Sequence, residues 1–194
     1  RLAAAFQMGL RGTVCLYQGE ELGLPEAQVA FEDLQDPYGI TMWPEFKGRD
    51  GCRTPMPWQA AAPHAGFSIA AKTWLPLDAR HTALAVDQQT GPDSLLSYFK
   101  QLIAWRKQQP ALIHGDMQLW DRHEQTLAFV REHEGQRVLC VFNFSDRATE
   151  LSLPAEWAQA SAMTESGTQG VHLEAQRLRC EPWGCAFLRP ANGH

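Results

Sequence analysis

No stretch of this sequence approaches the roughly 20 consecutive apolar residues that a membrane-spanning helix needs. Its first residues lack the basic start, apolar middle and small-residue cleavage site of a secretory leader. Basic residues are in deficit: 17 Lys and Arg face 22 Asp and Glu, for a net charge of −5. That balance leaves no footprint for a general nucleic-acid or polyanion binder. There is no Gly-x-Gly-x-x-Gly and no Walker A loop, so nucleotide binding has no support, and there is no Gly-x-Ser-x-Gly elbow. Metal-ligand spacing is missing too. Of the cysteines (Cys15, Cys52, Cys140, Cys180, Cys185), the nearest two, Cys180 and Cys185, are too far apart for C-x-x-C. His64, His81, His114, His123, His133, His172 and His194 show no ligand pattern either. An odd set of cysteines suits reduced thiols in a cytoplasmic protein, with a Cys180–Cys185 disulfide as the alternative. Arg1 is not an initiator methionine, which suggests a piece of a longer chain.

What is present is ordinary globular material: 194 residues, 44% apolar and 10% aromatic. Leu2, Phe6 and Leu10 stand at helical spacing and Gly12 breaks the pattern. Residues 13–18 are a short apolar run without alternation, which suits a parallel strand covered on both faces. Residues 25–92 are punctuated by proline and glycine yet hold Trp43, Trp58, Trp74, Phe31, Phe46 and Phe67. Such aromatics do not belong in a solvated linker, so this stretch reads as a long functional loop with short helices, packed on a scaffold. Residues 93–109 spell the clearest helix, capped by Asp93 or Ser94 and stopped by Pro110. Beyond residue 114 the period changes to alternation: Leu127 and Phe129; Val138, Cys140, Phe142 and Phe144; Leu151 and Leu153; Cys185, Phe187 and Arg189. Turn residues at 133–136, 145–146 and 154 separate these runs, which predicts a small antiparallel sandwich able to fold alone. Trp120, Trp157 and Trp183 read as its core or edge. The expected division is therefore 1–112 and 113–194.

Two motifs carry chemistry. Gln18-Gly19-Glu20-Glu21-Leu22-Gly23 ends the apolar run, where barrel and open-sheet enzymes keep their sites. Adjacent strand residues face opposite ways, so Glu20 and Glu21 cannot address one ligand together; one of them is expected to anchor the loop or to reach the site. The second is Gly48-Arg49-Asp50-Gly51-Cys52-Arg53-Thr54-Pro55-Met56-Pro57-Trp58. Two planar, permanently charged forks in a rigid loop beside a Trp suit recognition of a sugar's hydroxyls and its apolar face. The same two arginines would equally serve as structural partners of Asp50, and the residues alone leave both readings open.

Together the motifs resemble the α-amylase superfamily (glycoside hydrolase family 13), in its bacterial α-glucosidase and oligo-1,6-glucosidase branch. Residues 12–23 look like the eighth strand of its barrel. Asp36-Pro37-Tyr38-Gly39-Ile40 and residues 43–58 look like the long loop that follows, and Gly-Arg-Asp-x-x-Arg-Thr-Pro-Met-x-Trp is close to a signature of the branch. Trp74-Leu75-Pro76 and the segment from Pro92 look like the last barrel helix and its approach. The rest is similar to the family's C-terminal β-sandwich.

The resemblance implies an α/β plus all-β chain: the last helix–strand–loop–helix portion of a (β/α)8 TIM barrel, then an antiparallel β-sandwich. It implies a piece of a retaining, exo-acting α-glucosidase that hydrolyses, and transfers, α-linked glucose from the non-reducing ends of short α-glucosides. The family's catalytic carboxylates belong to earlier strands, and its Asn-His-Asp motif occurs nowhere in this sequence. No catalytic residue is therefore assigned, and the segment is expected to be inactive alone. One binding role carries over: Arg49 matches the arginine that contacts the terminal glucose. Arg53, Trp58 and Glu20 are assigned to loop support. No cofactor and no metal are implied. The expected partners are a small α-glucoside or oligosaccharide and the upstream barrel of the same enzyme, with no nucleic acid and no membrane. Without that upstream part, residues 13–18 would lack strand neighbours, inviting aggregation or a swapped copy. The alternatives are an accessory C-terminal module, structural or sugar-binding, and a related trehalose synthase or sucrose-processing enzyme.

Overall fold

The change of period near residue 114 divides helical from extended structure. A computed structural model describes residues 1–122 and 125–191; His123 and His194 lie outside them. In chain order the helices are α1 (Leu2–Gly9), α2 (Pro37–Thr41), α3 (Ala79–Thr82), α4 (Leu95–Arg106) and α5 (Pro110–Ile113), with short 3-10 turns between. The strands follow: β1 (Asp116–Arg122), β2 (Thr126–His133), β3 (Gln136–Asn143), β4 (Thr149–Ser152), β5 (Ser161–Ala162), β6 (Gln169–Glu174) and β7 (Arg177–Arg189). Two compact units result. One joins Arg1–Cys15 to Tyr98–His194, and the other is Leu16–Ser97.

In the first unit the antiparallel domain is present, and its strands are hydrogen-bonded into one sheet, ordered β1-β2-β3-β7-β4. The long β7 is its spine. Cys185–Leu188 pair with β3 and Arg177–Cys180 with β4, so β3 and β4 lie end to end along one edge. β6 and β5 occupy the other edge. The β2–β3 connection is a two-residue hairpin whose Glu134 and Gly135 both take positive φ, the geometry that matches strand twist. At the β3–β4 turn the fully buried Asn143 amide donates to the carbonyls of Arg147 and Glu181, while its oxygen accepts from Ser145.

Both faces of the central strands are buried, which explains why four alternations visible in the sequence understate the sheet. Ala128, Val130, Leu139, Val141, Ala186 and Leu188 enter one core, closed by Trp157 at 1% exposure. The opposite face presents Phe129, Phe142 and Phe187. Phe6 of α1 meets Phe142 edge-on at 5.4 Å, and Trp105 of α4 lies 4.7 Å from Phe187. Trp120 packs partly buried on the first core, and Trp183 is half exposed.

Arginines tie the end of α1 to the sheet and to α4. Arg131, on β2, has no exposed surface; its Nη1 donates to the carbonyls of Gly9 and Leu10, its Nη2 to Gly115 and its Nε to Asp116. Arg106 adds Met8 and Leu112. The unpaired carbonyls that end α1 are thereby satisfied, and two cations stand at the negative end of its dipole.

The strand expected over residues 13–18 does not form: residues 13–17 have no regular structure. A strand needs ladder partners, and every strand of the described residues lies between Asp116 and Arg189. The expected helix is trimmed at both ends. Ser94 is its cap, its Oγ accepting from the Ser97 N–H at 3.1 Å, and Pro110 opens α5 instead of closing α4. Replacing Ser94 with Ala should cost about 1 kcal/mol, read in a urea titration followed by helical circular dichroism; an unchanged midpoint would show that the cap contributes nothing. All five cysteines are free thiols, so the Cys180–Cys185 disulfide is not formed.

Candidate functional site

The second unit has little regular structure, so its polar side chains must fix the backbone. Two buried aspartates do most of this. Asp36 caps α2, its Oδ1 accepting from Tyr38 N–H at 3.0 Å with Pro37 at the first helical position. Its Oδ2 accepts from Arg49 N–H at 2.8 Å. Asp50 has no exposed surface, and its Oδ2 accepts from the N–H groups of Gln35 at 2.6 Å and Asp36 at 2.7 Å. Arg53 stands between the two carboxylates, 3.9 Å from Asp36 Oδ2 and 3.9 Å from Asp50 Oδ1. The Arg49 N–H, with that of Tyr38 and the nearby guanidinium of Arg53, holds the Asp36 carboxyl below the usual carboxylate range, against the opposing effect of burial.

The glycines of the motif follow from this closeness. Gly48 has φ +72°, and a Cβ there would lie 2.9 Å from the Asp36 side chain. A Cβ on Gly51 would lie 2.6 Å from the Ala27 carbonyl, whose own N–H donates to Gly51. The loop can therefore wrap its carboxylates only with glycine at these positions.

The sequence-predicted residues separate into distinct places. Arg49 is exposed, and its guanidinium forms no hydrogen bond or ion pair among the described residues; its main chain is what the loop holds. Arg53 faces inward to the two aspartates. Trp58 is half exposed, while its N–H donates to the Ala65 carbonyl and its carbonyl accepts from Asp87. Glu20 is exposed and joins the turn through its main chain, N–H to Tyr17 and carbonyl to Gly23. The carboxylate that binds the turn is that of Glu21, whose Oε2 accepts from Gly19 N–H at 2.9 Å.

Glu20 also borders a cleft of about 340 Å³ lined by Tyr17, Gln18, Glu26, Cys52, Thr54 and His81. Its floor is tied down by α3: Asp78, held well below the usual carboxylate range by its bonds to Arg80, accepts from Gln28 N–H, and His81 Nε2 contacts the Pro25 carbonyl at 2.7 Å. A carbonyl can only accept, so Nε2 carries the proton. At the mouth the Tyr17 hydroxyl donates to Cys52 Sγ, which pushes the phenol's pKa up. Among the described residues no three His, Cys, Asp or Glu side chains stand in a metal-holding group, and no helix is long and apolar enough to cross a membrane.

Asp36 and Cys52 were missed as organising residues at the sequence level. Asp-Pro ahead of a short helix was a legible cap signal for Asp36. Nothing local marks Cys52, whose partners are Tyr17 and Arg49.

Two family models match the chain: alpha amylase, catalytic domain, over residues 1–115, and maltogenic amylase, C-terminal domain, over residues 117–186. A probable alpha-glucosidase of Rhizobium meliloti (strain 1021) is 44% identical over 192 residues, covering 98% of this chain and 34% of the relative. A probable oligo-1,6-glucosidase 2 of Bacillus subtilis (strain 168) is 32% identical over 182 residues, covering 84% of this chain and 32% of the relative. The crystal structure of the alpha-glucosyl transfer enzyme XgtA superposes with a TM-score of 0.89 at 49% identity, covering 97% of this chain and 35% of that one. This chain thus spans about a third of the length of the relatives it matches. With the catalytic-domain model covering residues 1–115, more than half of the chain, this protein belongs to the alpha-amylase family.

Proposed function

We propose that this chain is part of a retaining, exo-acting α-glucosidase that hydrolyses, and transfers, α-linked glucose from the non-reducing ends of short α-glucosides, working in the cytoplasm. Arg49 contacts the terminal glucose, while Arg53, Trp58 and Glu20 support its loop. The observation that carries this reading is the division of labour in the loop. Arg53 is committed to Asp36 and Asp50, whereas Arg49 has a fixed main chain and an uncommitted guanidinium. A planar fork held this way is suited to a sugar's hydroxyls. The names carried by the relatives, alpha-glucosidase and oligo-1,6-glucosidase, point to the same substrate class.

The chain itself supplies no nucleophile and no general acid. Its two buried aspartates are engaged by main-chain N–H groups, Asp36 through both oxygens and Asp50 through Oδ2, and both are faced by Arg53. A retaining glycosidase needs two carboxyls about 5–5.5 Å apart across the scissile bond, one free to attack and one to protonate. Residues 1–112 belong to the barrel and 113–194 to the β domain in this reading, and the upstream barrel is the partner that brings the carboxylates. The β domain serves as a scaffold: its phenylalanine face covers α1 and α4.

The test is release of p-nitrophenol from p-nitrophenyl α-glucoside. The intact protein should release it, and this chain alone should not. Activity of the pure chain alone would overturn the assignment of the carboxylates to the upstream part. An intact protein inert on this substrate and on maltose and isomaltose would overturn the glucosidase reading.

A further inference from the structure

We infer that Cys52 is a positioning residue for Arg49, acting through the main chain, and that sugar affinity depends on its thiol hydrogen bond. This rests on the role proposed above for Arg49. Arg49 has no partner for its guanidinium among the described residues, so the aim of its side chain is set by its own backbone. That backbone is pinned on both sides. Its N–H donates to Asp36 Oδ2 at 2.8 Å, and its carbonyl accepts from the Cys52 N–H at 3.3 Å and from the Cys52 thiol at 3.1 Å. The thiol distance is short for a sulfur donor, and the N–H bond beside it is long for nitrogen.

The same sulfur accepts from the Tyr17 hydroxyl at 3.7 Å. Tyr17 stands at the end of segment 13–17, which has no regular structure, and both Tyr17 and Cys52 are exposed. Neither side chain is buried in a core that would explain its place. What they form is a chain of donors, phenol to thiol to carbonyl, that links Tyr17 to the peptide carrying Arg49. Polarisation along such a chain strengthens each bond. Without the thiol, only the long N–H bond would remain on the Arg49 carbonyl, and the peptide between Arg49 and Asp50 would be free to tilt.

The test is steady-state kinetics of the intact protein on p-nitrophenyl α-glucoside, with melting temperatures measured in parallel. Cys52→Ala should raise KM about five- to tenfold with kcat within about twofold, because the bond aims a binding group and takes no part in the chemistry. Cys52→Ser keeps a donor at that place and should bring KM back to within about twofold of wild type. Tyr17→Phe should fall between them. Arg49→Ala is the reference and should raise KM at least as much as Cys52→Ala. An unchanged KM in Cys52→Ala beside a raised KM in Arg49→Ala would overturn the inference and leave the role of Arg49 standing. So would a Cys52→Ala effect that tracks a lowered melting temperature and is not rescued by Ser. An unchanged KM in Arg49→Ala would remove the proposed role of Arg49 and this inference with it.

Discussion

Replacing Arg131 with Met should destabilise the sheet-bearing unit by about 4 kcal/mol, among the largest effects of any single change in this chain. The side chain is wholly buried, and its four hydrogen bonds all end on main-chain carbonyls: Gly9, Leu10, Gly115 and Asp116. A buried ion pair can sometimes be exchanged for two apolar residues without loss, because both partners are removed together. Here the partners are peptide groups that no substitution can delete. Each carbonyl left without a donor costs roughly 1–3 kcal/mol, less whatever water can restore. Burial draws the pKa of the guanidinium down from its ordinary value, yet arginine remains charged. Arg131→Lys should recover only part of the loss, since a single ammonium cannot replace a planar fork that reaches the end of α1 and the start of β1 at once. The measurement is a urea titration followed by β-sheet circular dichroism. A loss under about 1 kcal/mol in Arg131→Met would refute the clamp.

The second large effect belongs to Asp50. Its Oδ2 accepts from two consecutive main-chain N–H groups, those of Gln35 and Asp36, at 2.6 and 2.7 Å in a site closed to solvent. Asp50→Ala leaves both donors without this acceptor, that of Asp36 buried and that of Gln35 partly so, and removes one of the two carboxylates facing Arg53. A local loss of about 3 kcal/mol is expected, which corresponds to roughly a hundredfold faster exchange of the Gln35 and Asp36 amides. Asp50→Asn keeps an acceptor for both donors but turns an amide toward the Arg53 guanidinium, so a smaller loss is expected. Amide hydrogen exchange at these two residues reads the outcome directly. Protection unchanged in Asp50→Ala would mean that the loop is held by something other than this carboxylate.

These two residues also mark where sequence reasoning reached and where it stopped. Alternation disclosed β2, β3, β4 and the end of β7, because each has a run of apolar residues at period two. It did not disclose β5, which is two residues long, nor β1 and β6, where Met117 and Leu119, and Val171 and Leu173, stand at the same period but each pair is a single repeat among polar neighbours. The Gly-Arg-Asp motif located the candidate loop from residue types alone, and the geometry divides its two arginines between the inward Arg53 and the outward Arg49. Arg131 was invisible for a different reason. In the sequence it opens the polar run Arg131-Glu132-His133-Glu134, as the exposed end of a strand would. Only the return of α1, more than a hundred positions earlier, puts carbonyls where its fork can meet them. The extended reading of residues 13–18 failed as a strand because a ladder is a property of at least two segments, and local pattern can supply only one.

The two family matches meet between residues 115 and 117, yet the compact unit that holds the sheet also takes in residues 1–15 and the stretch from Tyr98. Ancestry and folding therefore place their seams differently. Recombination at the ancestral seam would hand a recipient barrel a sheet with Phe129, Phe142 and Phe187 bare and Arg131 facing no helix end. Such an exchange could survive only where the recipient's own counterparts of α1 and α4 offered matching rings and carbonyls. For this β domain the heritable cassette is larger than the sequence match that reveals it, because its inner surface is shared property with helices that the catalytic-domain match claims.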